Sequence, residues 1–148
     1  MQYALKFKAK KSAQPIDYVV MPLEGLWWAD DMSTFTVDDK SNWQWTMMIL
    51  QPALISQEMV AETVVEVKQK KNLTALSQMR FECYQEGKAA QIMHIGPFSD
   101  EGPTIAKVHE FIEQTGRTLS GKHHEIYLSD IRKSDPRKWN TIIRQPMK

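Results

Sequence analysis

One short segment, Gly121 to Asp130, places a carboxylate beside a phenol on one side of a predicted strand. Successive side chains of a strand face opposite sides, so His123, Glu125 and Tyr127 share one face while Ile126 lies on the other. A carboxylate that takes a proton and a hydroxyl that donates a hydrogen bond are the groups of general acid–base chemistry. The pattern leaves two interpretations open: a solvated surface acid on a half-buried strand, or an acid that faces a ligand cavity.

The segment Pro-Leu-Glu-Gly-Leu-Trp-Trp could supply part of such a cavity. It carries a second acid, Glu24, and two indoles, Trp27 and Trp28. Gly25 permits a bulge or a close backbone approach, which could aim Glu24 and both rings into a shared space.

A second tryptophan-rich segment runs from Trp43 to Gln51 and is predicted to be a strand. Trp45 and Met47 lie on one of its faces, and the other face is apolar as well. Strands that are apolar on both faces are typically buried on both, so we expect this strand to be covered on both sides.

Composition restricts the classes of function. The chain has 148 residues and a net charge of +1, which favours neither nucleic acid nor an anionic membrane as a partner. Its single cysteine, Cys83, excludes an internal disulfide and a cysteine-based metal site, and we expect no metal and no cofactor. Without a signal peptide or a long apolar run, the expected location is the cytoplasm. Five Trp and nine Met are numerous enough to line a cavity for a hydrophobic, planar small molecule.

The remaining elements follow from hydrophobic periodicity, caps and turn residues. In the first half of the chain we predict a helix-compatible segment at Met1 to Lys11, strands at Ile16 to Glu24 and Trp43 to Gln51, and a helix from Ser56 to about Lys70. In the second half we predict a hairpin of Met79 to Gln85 with Lys88 to Ile95, a helix from Pro103 to Gly116, a strand at His123 to Asp130, a helical turn at Asp135-Pro136 and a strand at Asn140 to Gln145. This mixture predicts an α+β domain with a mostly antiparallel sheet and two main helices.

An internal repeat organises these elements. Trp45 to Pro52 and Trp139 to Pro146 match at Trp, Ile, Gln and Pro, and each closes a strand pair whose first strand carries a glutamate. We therefore predict one domain of two strand-helix-strand-strand units: residues 1–52, a linker helix at 56–71, and residues 79–148. By analogy with the second unit, we expect the first unit to lack its leading strand and most of its helix. A missing strand would leave a sheet edge without a partner, and this predicts either a homodimer or a sheet with one open end.

Several of these motifs, in this order, resemble the GyrI-like small-molecule-binding family. They are the Pro22 to Trp28 segment, Trp45 to Pro52, His94 to Phe98, Glu125 to Asp130 and Ile142 to Pro146, and the resemblance spans nearly the whole chain. It implies a tandem SHS2-type fold with a ligand cleft at the pseudo-two-fold axis. Members include effector domains of multidrug-responsive regulators and stand-alone enzymes that hydrolyse cyclopropanoid DNA-alkylating toxins.

The resemblance implies one of two functions for the cleft. In a cyclopropanoid hydrolase, Glu125 would activate water, with Tyr127 or Glu24 acting on the leaving oxygen. In a non-catalytic module, the same acid would attract hydrophobic or cationic aromatic compounds. Predicted ligand-binding residues are Trp27, Trp28, Trp45, Met47 and His94, although His94 also fits a structural role before its Gly-Pro turn.

Overall fold

A computed structural model describes residues 1–32, 41–71 and 73–148 of the chain. Those residues form three α-helices and five β-strands: α1 (Gln2–Lys10), β1 (Leu23–Trp28), β2 (Gln44–Met48), α2 (Gln57–Lys70), β3 (Ala89–Ile95), α3 (Gly102–Gln114), β4 (His123–Tyr127) and β5 (Asn140–Pro146). The predicted α+β class and its antiparallel sheet are confirmed. Among the described residues, no helix is both long enough and apolar enough to cross a bilayer.

The chain divides into two compact units. A helical unit contains Met1–Met21 and Ile49–Tyr84, and a sheet unit contains Pro22–Met48 and Gln85–Lys148. The helix α1 belongs to the helical unit, whereas β1 and β2 belong to the sheet unit.

The helical unit is held together by a small apolar core between α1 and α2. Leu5 and Ala9 of α1 meet Val60 of α2 and Ile55, which precedes α2. The predicted cap of α2 is confirmed, because the Ser56 hydroxyl accepts a hydrogen bond from the Met59 amide and so satisfies one of the free donors of the first turn.

The sheet unit has the strand order β2-β1-β4-β5-β3. Its core lies where α3 packs on the β3–β5 side of one face, with Val108 and Ile112 of α3 against Ala90 and Ile143. Ile143 pairs directly with Glu125 of β4, and directly opposed residues of an antiparallel pair project from the same face. The face that α3 covers at one end therefore carries Glu125 further along.

The expectation that β2 is covered on both faces is wrong, because Trp45 and Met47, which share one face, are both exposed. The only strand partner of β2 within the described residues is β1, and the Trp45 side chain is 61% exposed. An apolar sequence on both faces thus does not mark a central strand here.

Two other predicted strands are wrong for a common reason. The segment from Ile16 joins the sheet only at Leu23, and Tyr18 packs against the core of the helical unit. Likewise, Met79 and Phe81 pack against that core instead of pairing with β3, whose partner is β5. Strand propensity reports how well a side chain fits a half-buried surface, and these residues satisfy that preference by packing on helices.

The core of the sheet unit provides a first prediction. Ile143→Ala removes a side chain with no solvent exposure and leaves a cavity beneath α3, so the free energy of unfolding should fall by about 2–5 kcal/mol. Ile95→Ala is the matched control, because Ile95 is 66% exposed on β3 and should cost less than about 1 kcal/mol. Urea denaturation measures both changes, and equal losses in the two variants would contradict the placement of the core.

Candidate functional site

The pairing of β1 with β4 decides which side chains share a face. Gly25 lies opposite Glu125, and Trp27 lies opposite His123. These four residues, together with Tyr127, therefore project from one face of the sheet. The sequence-based expectation that His123, Glu125 and Tyr127 share a face is correct.

The other predicted acid, Glu24, lies on the opposite face, where it pairs with Ile126. It therefore cannot act together with Glu125 on one ligand, because the sheet lies between them. Trp28 shares that opposite face by strand alternation, and its ring lies 3.3 Å from the Lys122 ammonium. Neither residue is brought to the site of Glu125.

The strand register also corrects the presumed equivalence of the two glutamates. The repeat aligns Met47 with Thr141, and these residues pair with Gly25 and Tyr127 respectively. Gly25 therefore corresponds to Tyr127, and two residues earlier Leu23 corresponds to Glu125. Glu24 lies one residue beyond the position that corresponds to Glu125. A shift of one residue along a strand places a side chain on the other face of the sheet, so the two glutamates are not equivalent.

Glu125 is buried and is the end point of a chain of hydrogen-bond donors. Its exposure is 6%. The Tyr127 hydroxyl donates to Oε2 at 2.7 Å, and the Trp27 indole N–H donates in turn to that hydroxyl at 3.0 Å. His123 Nε2 lies 3.2 Å from Oε1 and, with its proton on that nitrogen, donates the second bond. A buried charge needs such partners, and this set also fixes the orientation of the carboxylate.

Tyr127 holds its proton firmly. Burial raises the pKa of the Tyr127 phenol well above its ordinary value of 10.0, and the nearby negative charge of Glu125 raises it further. The phenol is therefore a hydrogen-bond donor at neutral pH and a weak acid.

An aromatic pocket opens in front of Glu125. It encloses about 330 Å³ and is lined by Trp27, Trp43, Trp45, Phe98, Glu101, Glu125 and Tyr127. The rings form connected pairs: Trp27 and Trp43 have centroids 5.8 Å apart, and Phe98 packs edge-on to Tyr127 at 5.6 Å. Such a lining, apolar with a few polar groups, is typical of small-molecule sites.

Sequence reasoning found Trp27, Trp45, Glu125 and Tyr127 but missed three residues of the lining. Trp43 shares the face of Trp45 by strand alternation, so the signal was present. Phe98 and Glu101 lie between β3 and α3, and only the way in which that connection folds back over the sheet places them here.

Of the two remaining predicted ligand-binding residues, Met47 lies beside the pocket and His94 is not part of its lining. Met47 pairs with Gly25 on the same face as Trp45, next to the lining. His94 is 5% exposed, and its ring nitrogens lie 3.0 Å from the Thr104 hydroxyl and 3.2 Å from the Pro97 carbonyl. His94 thus holds the end of β3 to the start of α3, which is the structural role.

Gly25 lies beneath the contact between Trp27 and Tyr127 and adds no bulge. Its register with both neighbouring strands is regular. A Cβ atom at this position would lie 2.7 Å from Trp27 Nε1 and 2.9 Å from the Tyr127 hydroxyl. The close approach expected from sequence is confirmed, and it lets the indole and the phenol meet over the strand.

A second buried charge cluster lies on the opposite face of the sheet. The two ring nitrogens of His124 each lie 2.8 Å from a carboxylate, one of Glu24 and one of Glu86. Arg144 adds a weaker contact to Glu86 at 3.4 Å. Burial alone would lower the pKa of His124, but hydrogen bonds to both carboxylates outweigh it and raise the pKa to about 9. His124 is therefore a cation that joins β4 to Glu24 of β1.

The described residues contain no group of three His, Cys, Asp or Glu side chains able to hold a metal ion. The chemistry available in the pocket is that of carboxylates, a phenol and aromatic rings. Fold and pocket together define a small-molecule-binding protein.

The chain belongs to the GyrI-like family. The family model described as a GyrI-like small molecule binding domain matches residues 2–148. No curated protein matches the chain significantly.

Solved structures from Listeria innocua are similar to the chain. One, of an uncharacterized conserved protein, shares 36% identity with a TM-score of 0.88, covering 99% of this chain and 74% of that one. Another, of a protein described as a hydrolase, shares 34% identity with a TM-score of 0.82, covering 99% of this chain and 73% of that one. A further hydrolase structure shares 35% identity with a TM-score of 0.84, covering 99% and 74%.

The tight contact at Gly25 provides a second prediction. Gly25→Ala should force Trp27 and Tyr127 apart and weaken the binding of a flat aromatic probe at least about tenfold, because a methyl group cannot fit at these distances. Quenching of tryptophan fluorescence measures the affinity. Gly87→Ala is the control, since a Cβ there meets no atom within 4 Å, although its positive φ of 79° will lower stability. Unchanged affinity in Gly25→Ala would place the ligand elsewhere.

His124 provides a third prediction, on pH. Because its folded-state pKa of about 9 exceeds its ordinary value of 6.5, its contribution to stability is complete below pH 6.5 and is lost as the pH rises through 9. The free energy of unfolding should fall across this window by as much as about 3 kcal/mol. Urea titrations at several pH values measure the slope.

His124→Gln should be less stable at low pH and should flatten that slope. His94→Gln is the matched control, because the partners of His94 are a hydroxyl and a carbonyl. If the free energy of unfolding of His124→Gln still falls between pH 6.5 and 9, another titrating group causes the pH dependence.

Proposed function

We propose that the protein hydrolyses flat, cyclopropane-bearing compounds that alkylate DNA, and thereby detoxifies them. The observation that carries the proposal is the buried Glu125 carboxylate, oriented by Tyr127 and His123 at the wall of an aromatic pocket. Two similar structures are described as hydrolases, which supports the same class of reaction.

Glu125 is the general base. Each carboxylate oxygen has two lone pairs, and the donors identified here use one on each oxygen. The remaining lone pairs can orient a water molecule and take its proton as that water attacks the strained ring. Positioning by Tyr127 and His123 keeps the carboxylate aligned for this step.

The aromatic lining binds the substrate. Trp27 and Trp43 line the pocket with ring planes tilted by 59°, so one indole can stack on a planar ligand while the other meets its edge, and Trp45, also in the lining, is 61% exposed. Stacking on these rings excludes bulk water from the reacting centre and strengthens the electrostatic contacts made there.

A second candidate function is capture without turnover. Three indoles around an acid form a site that suits a cationic aromatic compound, through cation–π contacts and charge attraction. The same residues would then bind and sense, or sequester, the compound. Turnover number separates the two functions.

The fourth prediction tests the proposed reaction. With a cyclopropanoid in large excess over protein, the conjugated absorbance should change through many turnovers. Glu125→Gln should lower kcat by about 10²–10⁴-fold while leaving the affinity for the ligand within a fewfold, because it removes the base but keeps the shape. Stopped-flow absorbance and fluorescence titration give the two quantities.

Glu24→Gln is the matched control. It removes the other acid proposed from sequence, which lies on the opposite face of the sheet, and turnover should stay within a fewfold of the unsubstituted protein. Circular dichroism checks that both variants fold. A single stoichiometric absorbance change in the unsubstituted protein would support capture, and full activity in Glu125→Gln would remove the general base.

A further inference from the structure

The strand β3 forms one edge of the sheet and, among the described residues, pairs only with β5. Its register with β5 is regular over seven residue pairs, and the strand contains no lysine, no arginine, no acid and no proline. Proteins commonly protect an edge strand with a lysine, a proline or a bulge, because its free backbone groups pair readily with another chain. The edge at β3 has none of these protections.

The register shows which backbone groups of β3 face the open edge. The Met147 amide donates to the Lys88 carbonyl at 2.9 Å, and the Gly96 amide donates to the Trp139 carbonyl at 3.0 Å. Every second residue of an antiparallel strand bonds to a given neighbour, so the even-numbered residues of β3 bond to β5. The N–H and C=O groups of the odd-numbered residues, such as Met93, therefore point outwards. No backbone hydrogen bond reaches them from residues 1–32, 41–71 or 73–148.

A groove lies beside this edge, between β3 and α3. The Gln91 side chain is bound to Arg144 on the face of the sheet opposite Glu125, at 2.8 and 2.9 Å, so Gln91 borders the groove with its main chain. The groove thus places free backbone groups beside a mostly apolar wall. It encloses about 290 Å³ and is lined by Ala90, Gln91, Ile92, Lys107, Val108 and Phe111.

The lining indicates what the groove would bind. Phe111 is 54% exposed although it is a large aromatic residue. Lys107, one helical turn before Phe111, is the only charged residue of the lining and forms no ion pair with any residue that the structure describes. An extended chain paired with β3 would alternate its side chains, and those that face α3 would meet this apolar wall and Lys107. The groove is therefore complementary to a strand with an acidic side chain among apolar ones.

Two other occupants fit the groove less well. Two copies of the chain joined through their β3 edges would bring the same patch together from both sides. Each groove would then receive a second Lys107 and no acid, because neither β3 nor the lining contains a carboxylate. A small molecule would leave the backbone groups of the edge unpaired, and 290 Å³ lies at the lower limit of small-molecule sites, which enclose about 300–1,000 Å³.

We propose that the β3 edge and its groove bind an extended, acidic segment of a partner protein, which adds a strand to the sheet. The outward backbone groups of β3 provide the affinity, and a carboxylate placed against Lys107 determines which segment binds. The groove shares no lining residue with the aromatic pocket, and its role does not depend on the hydrolysis proposed above.

The fifth prediction tests this site with the blocked peptide acetyl-Thr-Val-Thr-Glu-Thr-Val-Thr-amide. The sequence of this peptide is the same in both directions, so the polarity of the added strand does not affect the test. Amide NMR of the isotope-labelled chain should show shifts centred on Gln91, Met93 and Ile95, with a Kd below about 1 mM. A second peptide with lysine in place of glutamate should bind at least about fivefold more weakly, because attraction to Lys107 becomes repulsion.

A change of charge at Lys107 tests the role of that residue. Lys107→Glu should reverse the preference, so that the lysine peptide binds more tightly than the glutamate peptide. Lys70→Glu is the matched control, because Lys70 is an exposed lysine of α2 and the net charge changes equally. It should keep the preference for the glutamate peptide. An unaltered preference in Lys107→Glu would remove Lys107 from the site and with it the acidic partner.

Methylation of peptide nitrogens tests the strand pairing in the unsubstituted protein. Peptide residues that bond to Gln91 and Met93 project away from α3, whereas those that face α3 direct their own N–H groups to the far edge. When valine and glutamate face α3, methylation of the two inner threonine nitrogens should weaken binding more than about tenfold. Methylation of the two valine nitrogens should change it less than a fewfold.

A substitution in β3 tests the same pairing from the side of the protein. Met93→Pro removes an outward N–H and keeps the ladder with β5, because proline is tolerated at a sheet edge. It should weaken binding of the glutamate peptide more than about tenfold. Met93→Thr is its control and should bind within a fewfold of the unsubstituted protein. Circular dichroism checks that both variants fold, and the methylated peptides decide the question if Met93→Pro does not.

Other outcomes would overturn the docking site and leave the hydrolysis standing. One is the absence of shifts at β3 with the glutamate peptide at several millimolar. Another is equal binding of the two methylated peptides. Sedimentation that shows a dimer, dissociated by Met93→Pro, would make a second copy of the chain the occupant of the edge and would likewise end the proposal of an acidic partner.

Discussion

The buried charge of Glu125 is the constraint on which the rest of the site depends. A carboxylate with 6% exposure is costly unless donors compensate for the water it has lost. His123 and Tyr127 of β4 are the donors to this carboxylate, and Trp27 of β1 donates in turn to the Tyr127 hydroxyl. This arrangement in turn requires a glycine at position 25, because any side chain there would separate the indole from the phenol. Strand pairing, glycine placement and ring packing are thus consequences of holding one charge in place.

Much of this arrangement was predictable within single strands. The alternation of β4 correctly grouped His123, Glu125 and Tyr127, and the glycine in β1 correctly indicated a close approach. The cap of α2 at Ser56 and the first turn of α3 also follow from local chemistry. These predictions succeeded because each follows from the residue types and alternation within one segment, without the pairing between strands.

Relations between strands were not predictable in the same way. Which face Glu24 shares depends on its register with β4, and sequence matching could not detect an error of one residue. Segments rich in β-branched and aromatic residues, such as the one containing Tyr18, packed on helices instead of entering the sheet. Glu101 reaches the pocket through the fold of a connection, which no local pattern encodes.

The correspondence of Leu23 with Glu125 makes β1 and β4 chemically unequal at equivalent positions on one face of the sheet. The pairing of β1 with β2 has the same register as the pairing of β4 with β5, yet β1 carries the aliphatic Leu23 where β4 carries the acid Glu125. The pocket therefore receives a carboxylate from β4, whereas β1 contributes an indole, Trp27, and no acid. A difference at one pair of corresponding positions is enough to place the carboxylate on β4 and not on β1.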